Sequence, residues 1–183
     1  MNHKLTGTVL TVLIAAFSVG STSISLPTEK VLAITISVDQ NSSYRQYIGL
    51  HYEKLPKNLT SLGGWLVGDA NTRYGVSNVR EGNKQFLMLE RLISINRSGQ
   101  PTWQVIDVLE IPPLPPPLLL TSLGCSLNGN RDPELVTIAF TEDTEQWTTF
   151  VAAWRANRRT GKFEEIPDVL TKDIVCENPS WGV

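Results

Sequence analysis

The sequence predicts a mainly β, single-domain protein, an antiparallel meander or a small sandwich, with one disulfide. Three observations predict this fold class: segments in which apolar and polar residues alternate, turn sequences rich in glycine and asparagine between them, and an even number of cysteines. The alternation has the two-residue period of a half-buried strand. A chain of 183 residues also suits one domain.

The chain begins with an apolar, uncharged run over residues 5–20 that follows Lys4. A basic start before such a run is typical of an export signal, and the run is shorter than the roughly 20 residues that span a bilayer. We expect residues 1–33 to be a signal peptide cleaved after Ala33, with Ser23 as the alternative site. The mature protein would be periplasmic or extracellular, with no stable membrane insertion. A retained anchor is the competing interpretation.

The charge balance limits the partners that the protein could bind. The formal net charge is −2, which argues against nucleic acid as a partner. No motif indicates a cofactor, and the two cysteines lack the further soft ligands that a zinc site needs. The partner is unknown from the sequence, and an anionic envelope polymer or another protein would fit.

The first mature segment, residues 34–60, is polar and rich in tyrosine, which favours a loop or a short helix. Residues 61–183 form the predicted β domain. Gly63 and Gly64 open a short strand over residues 65–67.

The strongest local signal is a hairpin made of residues 85–95 and 103–111. The turn between them contains Gly99, which can adopt a positive φ, and Pro101, which has no N–H to donate. The alternation places one set of apolar side chains on a common face: Leu87, Leu89, Ile93 and Ile95.

A second strand pair is predicted over residues 134–140 and 146–157, and a turn over residues 158–161 leads into a further strand at 162–166. The last strands would then continue the meander. Phe150 and Trp154 are four residues apart, which also fits a helix, but Thr148 and Thr149 favour a strand.

Residues 112–117 contain five prolines in six positions, a composition that favours an extended polyproline II conformation. We interpret this segment as a stiff crossover between parts of the sheet structure. The alternative is a docking segment for an aromatic groove.

Cys125 and Cys176 are the two cysteines of the chain, and both follow the leader. An exported chain with an even cysteine count favours a disulfide. Closing a loop of about 50 residues would contribute about 4 kcal/mol in the chain-entropy model. Two buried free thiols are the alternative.

Candidate catalytic groups are few. His51 is the one histidine outside the leader, and no Gly-x-Ser-x-Gly motif accompanies it, so we expect an exposed loop histidine without a catalytic role. Hydrolysis of a sugar would need two carboxyl groups in a cleft. The acidic residues that could supply them lie in one loop and one later strand: Glu142, Asp143, Glu145, Glu164 and Glu165.

The segment over residues 128–134 offers oxygen ligands around Gly129 but lacks the spacing of a calcium loop. We expect an Asn-Gly turn there.

The tryptophans at 65, 103, 147 and 154 fall in predicted strands, where a core position is commoner than a sugar-stacking one. Trp181 is expected to be exposed.

Four basic residues gather around the turn at 158–161: Arg155, Arg158, Arg159 and Lys162. Such a cluster could bind an anionic polysaccharide or an acidic membrane face by charge attraction. The ordinary interpretation is a solvated hairpin tip, balanced by the acidic loop at 142–145.

Three segments of the C-terminal part, residues 153–157, 160–167 and 174–178, resemble small uncharacterised exported proteins of cyanobacteria. The resemblance covers less than a third of the chain. It implies a periplasmic or external location, and it assigns no activity and no site residue.

These observations lead to a hypothesis of an exported, non-catalytic binding or structural module of the cell envelope. The alternative is a carboxylate-dependent hydrolase that acts on envelope polysaccharide. A pair of carboxyl groups in a cleft would favour the enzyme, and a solid β core with a flat surface would favour the module.

Overall fold

Antiparallel strands make up most of the described chain, which covers residues 43–69 and 71–182 of a computed structural model. The expected signal peptide and residues 34–42 lie outside the described residues. Among those described, no helix is both long enough and apolar enough to cross a membrane.

A 3-10 helix (Ser43–Tyr47) precedes the strands, and one helical turn (Asp168–Thr171) precedes the last of them. The strands are, in chain order, β1 (His51–Tyr52), β2 (Thr60–Leu66), β3 (Tyr74–Glu81), β4 (Lys84–Ile95), β5 (Pro101–Ile111), β6 (Leu118–Thr121), β7 (Ser126–Leu127), β8 (Asn130–Arg131), β9 (Leu135–Phe140), β10 (Gln146–Trp147), β11 (Phe150–Asn157), β12 (Lys162–Glu165) and β13 (Ile174–Glu177).

The strands form three antiparallel sheets. The first sheet has the order β1-β5-β4-β3-β2, the second β12-β11-β9-β6, and the smaller third sheet β10-β13-β7-β8. The predicted fold class, a mainly β single domain with antiparallel sheets and one disulfide, is confirmed.

The predicted hairpin is present as β4 and β5, and the predicted second pair is present as β9 and β11. Residues 150–157 are a strand, so the helical alternative for this segment is excluded. The sequence interpretation missed β3, which pairs with β4 over its whole length.

The main core lies between the first and second sheets. Each sheet turns one apolar face toward the other, as in a sandwich. The first sheet contributes Val76, Leu87, Leu89, Leu109 and Ile111, and the second contributes Leu118, Val136, Ile138, Trp154 and Ala156.

The opposite, outer face of the first sheet carries a second apolar cluster. Phe86 and Met88 of β4 are fully buried there, and the rings of Tyr44 and Tyr47 stack on Phe86 with centroid distances of 4.3 and 5.5 Å. The segment before β2 therefore covers this face, and the middle of β4 is buried on both sides.

The burial of the side chains along β4 differs from the pattern predicted for the hairpin. Leu87 and Leu89 share the inner face as predicted, but Ile93 and Ile95 are exposed, so their predicted place on that face is wrong. The physical reason is the register shift between β4 and β5 after Leu92, where Ile93 is an extra, unpaired residue of β4. This shift is a β-bulge in β4, so Ile93 falls outside the pairing and Ile95 lies on the opposite face from Leu87 and Leu89.

A third cluster packs the second sheet against the third and contains the disulfide. Cys125 and Cys176 are bonded to each other and buried, beside Leu135, Ala153 and Ile174. The bond joins the chain just before β7 to the last strand, β13.

The proline-rich segment at 112–117 leads from β5 in the first sheet to β6 in the second. Leu118, the residue that follows it, is buried in the main core.

The turn between β7 and β8 is formed by Asn128 and Gly129, both with positive φ (52° and 72°). Such angles are those of a tight hairpin turn, as predicted for this segment.

Replacing Cys125, Cys176 or both by serine should destabilise the protein by about 4 kcal/mol, because the bond closes a loop of 51 residues. The expected fall in melting temperature is roughly 10 °C. Calorimetry measures it, and the double serine variant is the control: a reductant should lower the melting temperature of the wild type alone. If the reductant leaves the melting temperature of the wild type unchanged, the prediction is contradicted.

Candidate functional site

An open pocket of about 250 Å³ lies on the outer face of the first sheet. Strands β2 to β5 all contribute to it, so its walls are held by the hydrogen bonds of one sheet. The lining residues are Gly64, Trp65, Leu66, Gly75, Val76, Ser77, Glu90 and Trp103.

Two glycines keep the floor of the pocket free of side chains. A Cβ atom at Gly64 would lie 2.7 Å from the carbonyl oxygen of Val76, so this position has no room for a side chain. A Cβ atom at Gly75 would lie 3.7 Å from the six-membered ring of Trp103, an ordinary contact. The indole of Trp103 therefore lies beside bare backbone and forms one wall.

Glu90 supplies the charged group of the pocket. The residue is buried, with 3% of its surface exposed. The hydroxyl of Tyr52 donates a hydrogen bond to Oε1, and the hydroxyl of Ser77 donates one of 2.8 Å to Oε2. Both carboxyl oxygens thus have a partner, and both partners are neutral.

Burial raises the pKa of Glu90 to about 7, because removal from water penalises the charged form. The hydrogen bonds from Tyr52 and Ser77 act in the opposite direction and are outweighed. Burial also raises the pKa of Tyr52, and the neighbouring Glu90 charge adds to that rise. Near neutral pH, Glu90 is therefore poised between its charged and neutral forms.

The chemistry available in this pocket is that of a single carboxyl group beside an aromatic ring. No second carboxyl group lines it, and the described residues contain no group of three or more histidine, cysteine or acidic residues placed to hold a metal ion. The site can accept hydrogen bonds, attract a cation and stack a flat or methyl-rich group on the indole.

The structure places three of the four predicted anion-binding residues beside carboxylates. Arg155 lies 2.6 Å from Asp132 and 3.5 Å from Glu134. Arg158 lies 2.7 Å from Glu134. The partners are these two acids, which lie just before β9, rather than the acidic loop at 142–145.

Lys162 reaches Asp107 of β5 at 3.3 Å, and the backbone N–H of Phe163 donates to the same carboxylate at 2.8 Å. These bonds tie β12 of the second sheet to the first sheet. Arg159, the remaining member of the cluster, is exposed.

Glu134 is the centre of this charge network. Burial raises its pKa, but the hydrogen bonds from Arg158 more than compensate, so the net pKa is lowered. Its charged form is therefore favoured in the fold, in contrast to that of Glu90.

None of the acidic residues considered for sugar hydrolysis lines the Glu90 pocket. Glu142 and Asp143 are exposed and line a separate open cavity of about 310 Å³ with Trp147 and Asn178. Hydrogen bonds from Thr160 and Asn157 lower the pKa of Glu164, which is opposite to what a general acid needs. His51 is exposed in β1.

The tryptophans divide into core and pocket positions. Trp147 and Trp154 are buried, and Trp181 is 49% exposed, as expected. Trp65 and Trp103 are half-buried and line the pocket, a role that the strand pattern did not indicate. The one sequence signal for the site is Glu90 itself, a carboxyl directly after four apolar residues.

The chain has no significant match among protein-family models, curated proteins or solved structures. The resemblance to exported cyanobacterial proteins stays a prediction. The geometry and chemistry of the pocket are therefore the basis on which a function can be proposed.

Replacing Glu90 by glutamine should stabilise the protein at neutral pH and have little effect in acid. The pKa of Glu90 is about 7 in the fold against an ordinary value of 4.5, so folding takes up a proton between these values. Wild-type stability therefore falls as the pH rises through this window, by at most about 3 kcal/mol.

Denaturant unfolding at about pH 4 and pH 8 measures this difference. Glu165→Gln, at an exposed position of β12, is the matched control and should show no such trend. A stability difference between E90Q and wild type that stays constant with pH would show that Glu90 titrates normally.

Replacing Arg158 by alanine should destabilise the protein by about 1 kcal/mol at neutral pH, since a partly buried Glu134 loses its charged hydrogen-bond partner. Arg159→Ala should change stability by less than about 0.5 kcal/mol. The difference between the variants should vanish in acid, where Glu134 is protonated and its contribution is lost. Equal stabilities at neutral pH would contradict this assignment.

Proposed function

We propose that the mature chain is an exported, non-catalytic binding module of the cell envelope, and that its ligand occupies the pocket between Glu90 and Trp103. The observation that carries this proposal is a buried carboxyl group at the wall of an open pocket, with an indole beside it and no charged partner among the described residues. Pockets that combine a few fixed polar groups with aromatic surface are typical ligand sites.

The construction of the pocket supports binding rather than turnover. Its residues belong to neighbouring strands of one sheet, so their positions are fixed before a ligand arrives. Preorganisation of this kind reduces the entropy lost on binding. The pocket is also open, which suits a group that protrudes from a larger envelope component.

The alternative function is a carboxylate-dependent hydrolase acting on envelope polysaccharide. Such an enzyme needs a second carboxyl group roughly 5 to 9 Å from the first, across the bond that is cut. The Glu90 pocket offers one carboxyl group. Glu142 and Asp143 line a different cavity, but both are exposed, whereas the general acid of such an enzyme needs a buried site that raises its pKa. The geometry therefore favours the binding module.

The disulfide between Cys125 and Cys176 supports an oxidising compartment, because such bonds persist outside the reducing cytosol. This bond and the apolar leader of the sequence support the periplasmic or extracellular location that is part of the proposal.

Attachment through the basic cluster is the less favoured mode of binding. Arg155, Arg158 and Lys162 are each within 3.3 Å of a carboxylate of the same chain, so an anionic polymer would compete with these internal partners. Arg159 alone is a weak basis for attachment, since a single exposed charge is screened by salt.

Trp103→Leu should abolish retention of the purified mature protein on isolated envelope material. The substitution removes the indole wall but keeps an apolar side chain in the strand. Trp181→Leu is the matched control, because Trp181 is exposed and does not line the pocket. Retention is measured by co-sedimentation, with folding of each variant checked by thermal unfolding.

Equal retention of W103L and wild type would refute the pocket as the binding site. Loss of retention by Arg159→Glu, with strong dependence on salt, would instead favour the basic cluster. Release of soluble sugar fragments from the envelope by the wild-type protein would favour the hydrolase.

A further inference from the structure

We propose that the pocket between Glu90 and Trp103 binds an alkylammonium group, with the carboxylate as its counter-ion and the indole as its apolar wall. This inference rests on the proposed function and deepens it by naming the class of ligand. The ammonium group could belong to a small molecule or to a larger envelope component, because the pocket is open to solvent.

The first argument is the charge balance of the buried acids. Asp107 and Glu134 are both largely removed from water, and both have a basic side chain within 3.3 Å. Glu90 is more buried than either, yet its hydrogen-bond donors are the neutral hydroxyls of Tyr52 and Ser77. A buried carboxylate without a cation is unfavourable, so a cation from outside would relieve this cost.

The second argument is the aromatic surface around the carboxyl group. A cation near the face of a tryptophan is attracted by the ring quadrupole, and this attraction is the usual basis for recognition of quaternary ammonium groups. Trp65 and Trp103 both line the pocket together with Glu90. The site thus combines a negative charge with aromatic rings.

The third argument is space. Gly64 and Gly75 leave the floor of the pocket bare, and no lysine or arginine lines it. Within residues 43–69 and 71–182, therefore, no basic side chain occupies the position in front of Glu90. The volume of about 250 Å³ accommodates a compact head group such as trimethylammonium.

The protonation of Glu90 makes binding of a cation at this site depend on pH. The groups that face the carboxyl are Tyr52 from β1, Ser77 from β3 and Trp103 from β5, and among them only Tyr52 titrates, with a raised pKa. A cation binds the charged form of Glu90, whose pKa is about 7. Binding should therefore strengthen as the pH rises through neutrality.

The decisive experiment compares choline with 3,3-dimethylbutan-1-ol, a neutral molecule of the same shape. Titration of the mature wild-type protein is followed by the NMR signals of its indole N–H groups. Choline should shift the Trp103 signal and bind at least about tenfold more tightly than the neutral analogue, since the charge contributes both the ion pair and the cation–π attraction.

Choline carries a permanent charge, so any pH dependence of its binding near neutrality belongs to the protein. The charged fraction of Glu90 predicts an affinity about tenfold lower at pH 6 than at pH 8. Glu90→Gln should weaken choline binding and remove its pH dependence, whereas the exposed control Glu165→Gln should bind as the wild type does.

Gly75→Ala provides a second variant that keeps the charge. The added methyl group would lie 3.4 Å from the nearest backbone oxygen, that of Trp65, and 3.7 Å from the ring of Trp103, so the fold should accept it while the pocket floor is raised. Choline affinity should fall in this variant without loss of the folded NMR spectrum.

Equal affinities for choline and its neutral analogue, or choline binding that is independent of pH, would overturn the ammonium assignment. If choline fails to bind while W103L still loses its retention on envelope material, the proposed binding function stands and only the ligand class is wrong. If neither choline binding nor W103L-sensitive retention is observed, both proposals are refuted.

Discussion

Burial of the middle of β4 on both of its faces is the constraint on which the remaining structure depends. Leu87 and Leu89 face the second sheet, while Phe86 and Met88 face the tyrosines of the N-terminal segment. A strand between two apolar layers cannot place a polar side chain in water near its centre. Glu90 follows directly after these four residues, so its carboxyl group is buried and depends on the hydroxyls of Tyr52 and Ser77. Its raised pKa is a direct consequence of this position.

A bulge between β4 and β5 separates the two buried acids of the hairpin. Leu89 pairs with Asp107, whereas the next residue, Glu90, pairs with Val105, so one residue of β5 is unpaired. This shift directs Asp107 toward the second sheet, where Lys162 and the N–H of Phe163 neutralise it. It leaves Trp103 and Glu90 together on the outer face. Because of this one extra residue, Asp107 faces the second sheet and helps to hold the two sheets together, whereas Glu90 faces outward and lines the pocket.

The sequence predicted what local chemistry determines. The β4–β5 hairpin, the β9–β11 pair and the Asn128–Gly129 turn follow from alternation and turn residues, and the disulfide from the two cysteines of the chain. Burial on both faces could not be read from alternation, because it requires a second layer contributed by distant residues such as Tyr44. The partners of Arg155 and Arg158 depend on the β9–β11 register, which brings the segment before β9 beside them. The pocket was missed for the same reason: Ser77, Glu90 and Trp103 meet only when three strands pair.

Glu90 differs from the other largely buried carboxylates of the fold in the kind of partner that it has. Asp107 and Glu134 receive basic partners from strands or turns that lie far away in sequence, at 3.3 and 2.7 Å. Among the residues that the structure describes, no basic side chain lines the pocket in front of Glu90. Two of these acids are neutralised by basic side chains, whereas Glu90 faces an open pocket with a floor of glycine. Glu90 is therefore the exception to the charge pairing found elsewhere in the fold. Such departures are expected where stability is given up for function, which is the physical reason to locate binding at Glu90 rather than at the internally paired basic cluster.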